Sequence, residues 1–250
     1  MPKKQPKERV TILYGAKNVL LACPHGFDDT YTNIITENAA NALGCNALIN
    51  HGWQRSKKVD ETKSYANCNS VAHVMDAQNM AVNDEYGKPF QRMIQKMYQK
   101  TRHDPFTGGP RSHIYIFQIH GVGNWIKGKS KDQNLKVIIG NGHGAQTSSY
   151  SCKDWMAHRM GELFNGIGWK AYLGAGGSRY AARGPNNMNQ WFRLHYRLDN
   201  VYSMQLELTS DLRSTEKEAE ATGRQLGALI ALFLQHKGVD PGVKTKLPEI

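Results

Sequence analysis

The run Val19-Leu20-Leu21-Ala22-Cys23-Pro24-His25-Gly26-Phe27-Asp28-Asp29 sets the terms for the whole chain. Its first five residues are uninterruptedly apolar, the pattern of a short strand buried on both faces of a sheet. Pro24-His25-Gly26 stops that strand and leaves an imidazole and two carboxylates within one turn of chain. In open α/β sheets, ligands bind beyond the carboxyl ends of the strands. The run therefore predicts both an architecture and a place for chemistry.

The flanking sequence extends the pattern. Residues 31–43 carry Ile34, Ile35, Ala39, Ala42 and Leu43 at helical spacing, and Gly44 terminates that helix. Residues 47–49 read as a second strand, and 51–70 as polar and irregular. A helix over 84–100 places Phe90, Met93, Ile94, Met97 and Tyr98 on one side. Residues 103–112 form a Gly/Pro loop. Further strands are predicted at 114–119, 136–139, 170–173 and 202–208. A helix over 153–164 opens with Ser151 as N-cap. A helix over 215–235 opens with the capping-box pattern Ser214-Thr215-Glu216-Lys217-Glu218. Residues 174–200 read as one long loop rich in Gly, Asn and Arg, of a size usually tied to function or disorder. Strands alternating with helices predict an α/β fold, a mostly parallel mixed sheet with helices on both faces. No repeat or composition shift divides the chain. The expectation is a single catalytic domain over 1–250, with flexible tails at 1–9 and 238–250.

Composition narrows the class. The 250 residues are long enough for a substantial core. No apolar stretch approaches the ~20 residues of a membrane helix, so no membrane partner is expected. The basic, polar start does not read as a secretory signal. Cys23, Cys45, Cys68 and Cys152 show no CxxC spacing, which argues against a disulfide framework or a four-cysteine zinc site and for a reducing cytoplasm. The net charge of +11 attracts anions, an anionic small molecule or peptide in the first place and nucleic acid in the second. No nucleic-acid motif accompanies it, and the five tryptophans are dispersed.

Three predicted strands end in chemically competent residues: His25 with Asp28 and Asp29, then His120-Gly121, then Gln205-Leu206-Glu207. Two histidines and a carboxylate form the ligand set of an open zinc site for one ion. A carboxylate that is not a ligand, here Glu207, can act as general base. Taken singly, each residue has a plainer reading: a surface histidine, an aspartate capping the next helix, a solvent-facing glutamate. The joint pattern at separate strand ends favours the site, with the choice between Asp28 and Asp29 open.

At this point the chain resembles the N-formylglutamate amidohydrolase family, within the zinc carboxypeptidase-like superfamily. Pro24-His25-Gly26 resembles the family's Pro-His-Ser-Gly. Arg55 and Asp60 with Asn67 or Asn69 resemble its Arg…Asp-x-Asn-Arg segment. Ile119-His120 resembles the strand that ends in the second metal histidine, and 176–184 resembles a Gly-Gly…Thr-Arg…Gly segment. Ser203-Met204-Gln205-Leu206-Glu207-Leu208 resembles its Gln-Leu-Glu strand. The resemblance implies a zinc carboxypeptidase-like (phosphorylase/hydrolase-like) fold and a hydrolase cleaving an amide-type bond. It implies metal on His25, Asp28 or Asp29, and His120, with Glu207 as base. Arg55, Asn69, Arg179 and Arg183 are then substrate-binding residues, Arg183 favoured for the substrate anion and for a part in catalysis. Two departures stand out: Asp replaces Glu in the His-x-x-Glu pattern, and Asn67-Cys68-Asn69 is followed by no arginine. They keep alive the alternative of an inactive or anion/nucleic-acid-binding protein on the same fold.

Arg193 and Arg197 add to the positive charge of 174–200, which predicts an N-acyl amino acid or short peptide with a free carboxylate; surface charge is the plainer alternative. Gly174-Ala175-Gly176-Gly177-Ser178-Arg179 is weak evidence for a phosphate loop. His143, among glycines, and His51 read as structural, and Cys23 as a small buried apolar residue.

Overall fold

Two adjacent strands, β4 (Ile114–Val122) and β7 (Val201–Thr209), form the centre of the molecule. They pair in parallel and in unbroken register, from Ile114 opposite Val201 to Val122 opposite Thr209. The computed structural model describes residues 8–102, 113–142, 151–176, 178–195, 201–236 and 246–250. Around the central pair lie β1 (Val10–Leu13), β2 (Lys17–Cys23), β3 (Cys45–Asn50), β5 (Leu135–Gly140) and β6 (Lys170–Leu173). The sheet order is β1-β3-β2-β4-β7-β5-β6. Strands β3, β2, β4 and β7 run parallel, while β1 and the β5–β6 pair run against them.

Side-chain alternation sorts the sheet into two faces. Tyr115, Phe117, Ile119, Met204, Leu206 and Leu208 enter one buried cluster, with the helices Thr32–Leu43, Asp154–Gly166 and Glu216–Leu234 packed on it. Ile114, Ile116 and Val201 point the other way, against Trp53, Tyr86, Phe90, Met93 and Trp191. That second face is covered by the 51–87 segment and the helices Lys88–Arg102 and Met188–His195.

The sequence reading holds for the sheet class, for the helix stop at Gly44, which is left-handed (φ 67°), and for the capping box, formed by Thr215 and Glu218. It differs in several places. Strand β1 was not expected: four residues are too short to show a period, and β3 supplies its pairing. The helix expected from 84 starts at Lys88, after a widened turn over Asn83–Gly87. Ser151 does not cap its helix; Lys153 occupies that position, and the Ser151 hydroxyl accepts from Asn189 Nδ2 (2.6 Å). The 174–200 segment is not one loop, since it contains a 3-10 turn (Arg179–Ala181) and the helix Met188–His195. Finally, both expected tails are tied down in part. Arg9 Nε donates to Glu85 (2.8 Å), and residues near the end lie along β6, Leu173 N–H donating to Pro248 and Ile250 N–H to Leu173. Loop 103–112 and His143 lie outside the described residues.

Candidate metal centre

Because β2, β4 and β7 are parallel, their carboxyl ends share one edge of the sheet. His120 stands opposite Glu207 in the register, and Gln118 opposite Gln205. These four side chains alternate with Phe117, Ile119, Leu206 and Leu208, so they lie on the face opposite the three-helix layer. The turn after β2 brings His25 and Asp29 to the same edge, with Asp28 and Asp29 N–H both donating to the His25 carbonyl.

Three atoms converge there. His25 Nδ1 and His120 Nδ1 are 3.2 Å apart, and Asp29 Oδ2 is 3.7 Å from the first and 3.9 Å from the second. All three residues are buried. A tetrahedral ion with bonds of 2.0–2.1 Å needs ligand atoms about 3.3 Å apart, so the spacing fits zinc with little movement. The donor chemistry fits as well. Asn67 Oδ1 already accepts the Asn69 N–H (3.0 Å), which fixes its carboxamide; His25 Nε2–H therefore donates to it (2.8 Å). In a neutral ring that bond puts the free lone pair on Nδ1, the nitrogen turned into the site. Two imidazole nitrogens and a carboxylate oxygen this close need a cation or a proton between them.

Asp29, not Asp28, is the aspartate in this group. Asp28 Oδ2 accepts the Arg55 N–H (2.7 Å) and is turned toward that loop. Burial works against a charge on Asp29, but His25, His120 and the Gly121 N–H (3.0 Å) hold its carboxyl down at about 2. Burial, with His25 beside it, pushes His120 down to about 3 against the pull of Asp29. The imidazole is thus neutral, as a metal ligand must be. For Glu207, burial and then the charge of Asp29 raise the carboxyl to about 8, opposed by Gln205, Arg179 and Arg55. A cation at the three-residue group would draw it back down by favouring the carboxylate.

The remaining predicted residues divide. The charges of Arg179 and Arg55 reach Glu207, although both side chains are exposed. Strand β6 runs against β7, yet its loop reaches the site because the Arg179–Ala181 turn lies directly on Gly140. A Cβ at Gly140 would stand 2.4 Å from the Tyr180 carbonyl oxygen. Arg179 sits over the exposed Trp125 ring (5.2 Å) and donates to the Tyr180 hydroxyl (2.7 Å). Arg183 is exposed on the following stretch, and Asn69 Nδ2 donates to Gln205 Oε1 (3.4 Å). Asp60 bonds locally, accepting from Thr62 Oγ1 (2.7 Å) and pairing with Lys63. The side chain of Arg193 and all of Arg197 lie outside what is described. His51 is structural, its Nε2 2.9 Å from Thr11 Oγ1. Burial pushes the Cys23 thiol up to about 12, so it is no nucleophile.

Sequence reasoning missed Gln118 and Arg213. Gln118 carried a signal, a polar residue inside an apolar strand on the same side as His120. Arg213 carried none. Its guanidinium is buried and donates to the carbonyls of Leu208 (3.2 Å), Thr30 (2.8 Å) and Val122 (3.2 Å), tying the ends of β7 and β4 to the turn before the first helix.

No family model matches the chain, and no curated protein matches its sequence. Solved structures do match its α/β fold. The N-formylglutamate amidohydrolase from Ralstonia eutropha JMP134 superposes with a TM-score of 0.58 at 12% identity, covering 93% of this chain and 98% of that one. The gene product Atu2144 from Agrobacterium tumefaciens gives 0.56 at 13%, covering 91% and 95%. A bacteriophage poly-gamma-glutamate hydrolase gives 0.51 at 12%, covering 93% of each. Identity this low establishes likeness of fold. Among the described residues, no helix is long and apolar enough to cross a membrane.

Proposed function

We propose that this chain is a metal-dependent hydrolase that cleaves an amide-type bond, with one zinc ion held by His25, Asp29 and His120. The observation that carries the reading is the convergence of two histidine Nδ1 atoms and one carboxylate oxygen within 3.9 Å, in a buried site. The histidine–histidine–carboxylate set leaves a fourth position open. Zinc bound there supplies a Lewis acid for a carbonyl and lowers the pKa of a water toward about 7. Glu207 takes the proton of the attacking water and returns it to the leaving nitrogen. Gln205 Nε2 donates to Glu207 Oε1 (2.8 Å), which leaves the other oxygen for that work. Arg179, Arg55 and Arg183 supply positive charge for an anionic group, so the substrate is an N-acyl amino acid or short peptide with a free carboxylate. The name of the amidohydrolase relative supports the same bond class.

Elemental analysis of the purified protein, paired with hydrolysis assays on N-formyl and N-acetyl amino acids, tests the reading. About one zinc per chain is expected, lost together with activity in His120→Ala. A wild-type protein that takes up no divalent metal would remove the basis for the proposal.

A further inference from the structure

Among the described residues, four buried side-chain polar atoms have no hydrogen-bond partner: Asn69 Oδ1, Gln118 Oε1, Gln118 Nε2 and His120 Nε2. Such atoms are rare in folded proteins, because each forfeits its bonds to water without replacement. These four are not scattered. Gln118 and His120 are two apart on β4 and share a face. Gln118 stands opposite Gln205 in the register, and Asn69 is bonded to Gln205.

Their chemistry is complementary. With His120 Nδ1 turned to the metal, its proton sits on Nε2, which is then a donor. Gln118 Nε2 is a second donor, and Gln118 Oε1 and Asn69 Oδ1 are acceptors. Two links would use all four, and neither is closed in the structure: His120 Nε2–H to Gln118 Oε1, and Gln118 Nε2–H to Asn69 Oδ1. The existing bonds continue in the same sense, Asn69 Nδ2 donating to Gln205 Oε1 and Gln205 Nε2 to Glu207 Oε1. Resting on the metal-site reading above, we propose that Gln118 and Asn69 are positioning residues that complete a chain of three carboxamides from His120 to Glu207. Each amide in it donates forward, and the last donor meets a carboxylate. Gln118 then does for His120 what Asn67 does for His25, holding the ring with Nδ1 toward the metal. Both partners are neutral amides. They fix orientation without adding negative charge behind the imidazole.

The test compares wild type with Gln118→Leu and Gln118→Glu. Zinc affinity is measured by competition with a chromophoric chelator, and the His120 ring proton by 15N–1H NMR of the zinc-loaded protein. Removing a partner behind a ligating histidine typically costs roughly 10–100-fold in metal affinity, which is the loss expected for Gln118→Leu. Its Nε2 proton should also exchange faster with solvent. Gln118→Glu keeps both the shape and the acceptor and should recover most of the affinity; because it also keeps the packing, slow exchange of the His120 Nε2 proton is the readout that separates a hydrogen bond from packing alone. Equal zinc affinity and equal proton protection in wild type and Gln118→Leu would overturn the chain while leaving the metal site standing. Failure of wild type itself to bind zinc would instead overturn the metal reading, and the chain with it.

Discussion

The two faces of the β4–β7 pair are made from the same two strands and behave as different materials. On one face Phe117, Ile119, Leu206 and Leu208 are fully buried under three regular helices. On the other, Gln118, His120, Gln205 and Glu207 are also buried, but beside the irregular 51–87 segment and carboxamides such as that of Asn69. The first face is held by non-directional burial, which tolerates changes of similar volume. The second needs directed partners for every polar atom, since an unpaired one costs about 1–3 kcal/mol. Stability and chemistry are thus separated by the period-2 alternation of a strand.

That separation can be broken experimentally. The largest effect belongs to the polar face. Glu207→Gln should lower kcat by roughly 10²–10⁴-fold while zinc content and melting temperature hold. Parallel loss of zinc would show Glu207 to be a ligand, and the two-role assignment would collapse. Phe117→Ala, directly behind, should do the reverse. It should cost about 3–5 kcal/mol in urea denaturation, with kcat per folded molecule little changed. A comparable fall in kcat would mean that the faces are not independent.

A pH series on metal-free protein sharpens the contrast. Glu207 keeps its proton in the fold until about pH 8 but loses it near 4.5 when unfolded, so stability falls as pH rises through that window. His120 stays unprotonated in the fold down to about pH 3 but takes a proton near 6.5 when unfolded, so stability falls as pH drops from 6.5 toward 3. The two slopes oppose each other between about 4.5 and 6.5, where stability should be highest and flattest. Denaturation midpoints in Glu207→Gln should lose the alkaline limb and keep the acid one. The smallest effect is at the rim. Arg179→Ala should cost roughly 1.5–3 kcal/mol in kcat/KM for a substrate with a free carboxylate, and less for the corresponding amide. A larger loss in Arg183→Ala would move the anion site outward along that stretch.

The same contrast explains what could be read in the sequence. The apolar face was legible because helices such as Thr32–Leu43 and Glu216–Leu234 bury stripes with a helical period, and capping box and terminal glycine mark their ends. The site was legible where chemistry interrupts an apolar strand: His25, His120 and Glu207 stand out against Val, Ile and Leu. The cover of the polar face was not. Residues 51–87 are placed by hydrogen bonds such as Ala66 N–H to Gln54 and Asn83 Nδ2 to Val74, which leave no periodic trace. Nor could the choice of Asp29 over Asp28 be made from spacing, because it depends on which carboxylate the Arg55 amide captures.

Gly121 follows His120, and a Cβ placed there would stand 2.5 Å from the guanidinium carbon of Arg213. The arginine cannot step aside without releasing the Thr30, Val122 and Leu208 carbonyls it binds. The two positions, 92 apart in the chain, are therefore not free to vary separately in descendants of this sequence. Any residue larger than glycine at 121 requires a smaller or displaced side chain at 213, and with it a new way of tying the two strand ends together. Among relatives, glycine at the first position and arginine at the second should be inherited or lost as a pair.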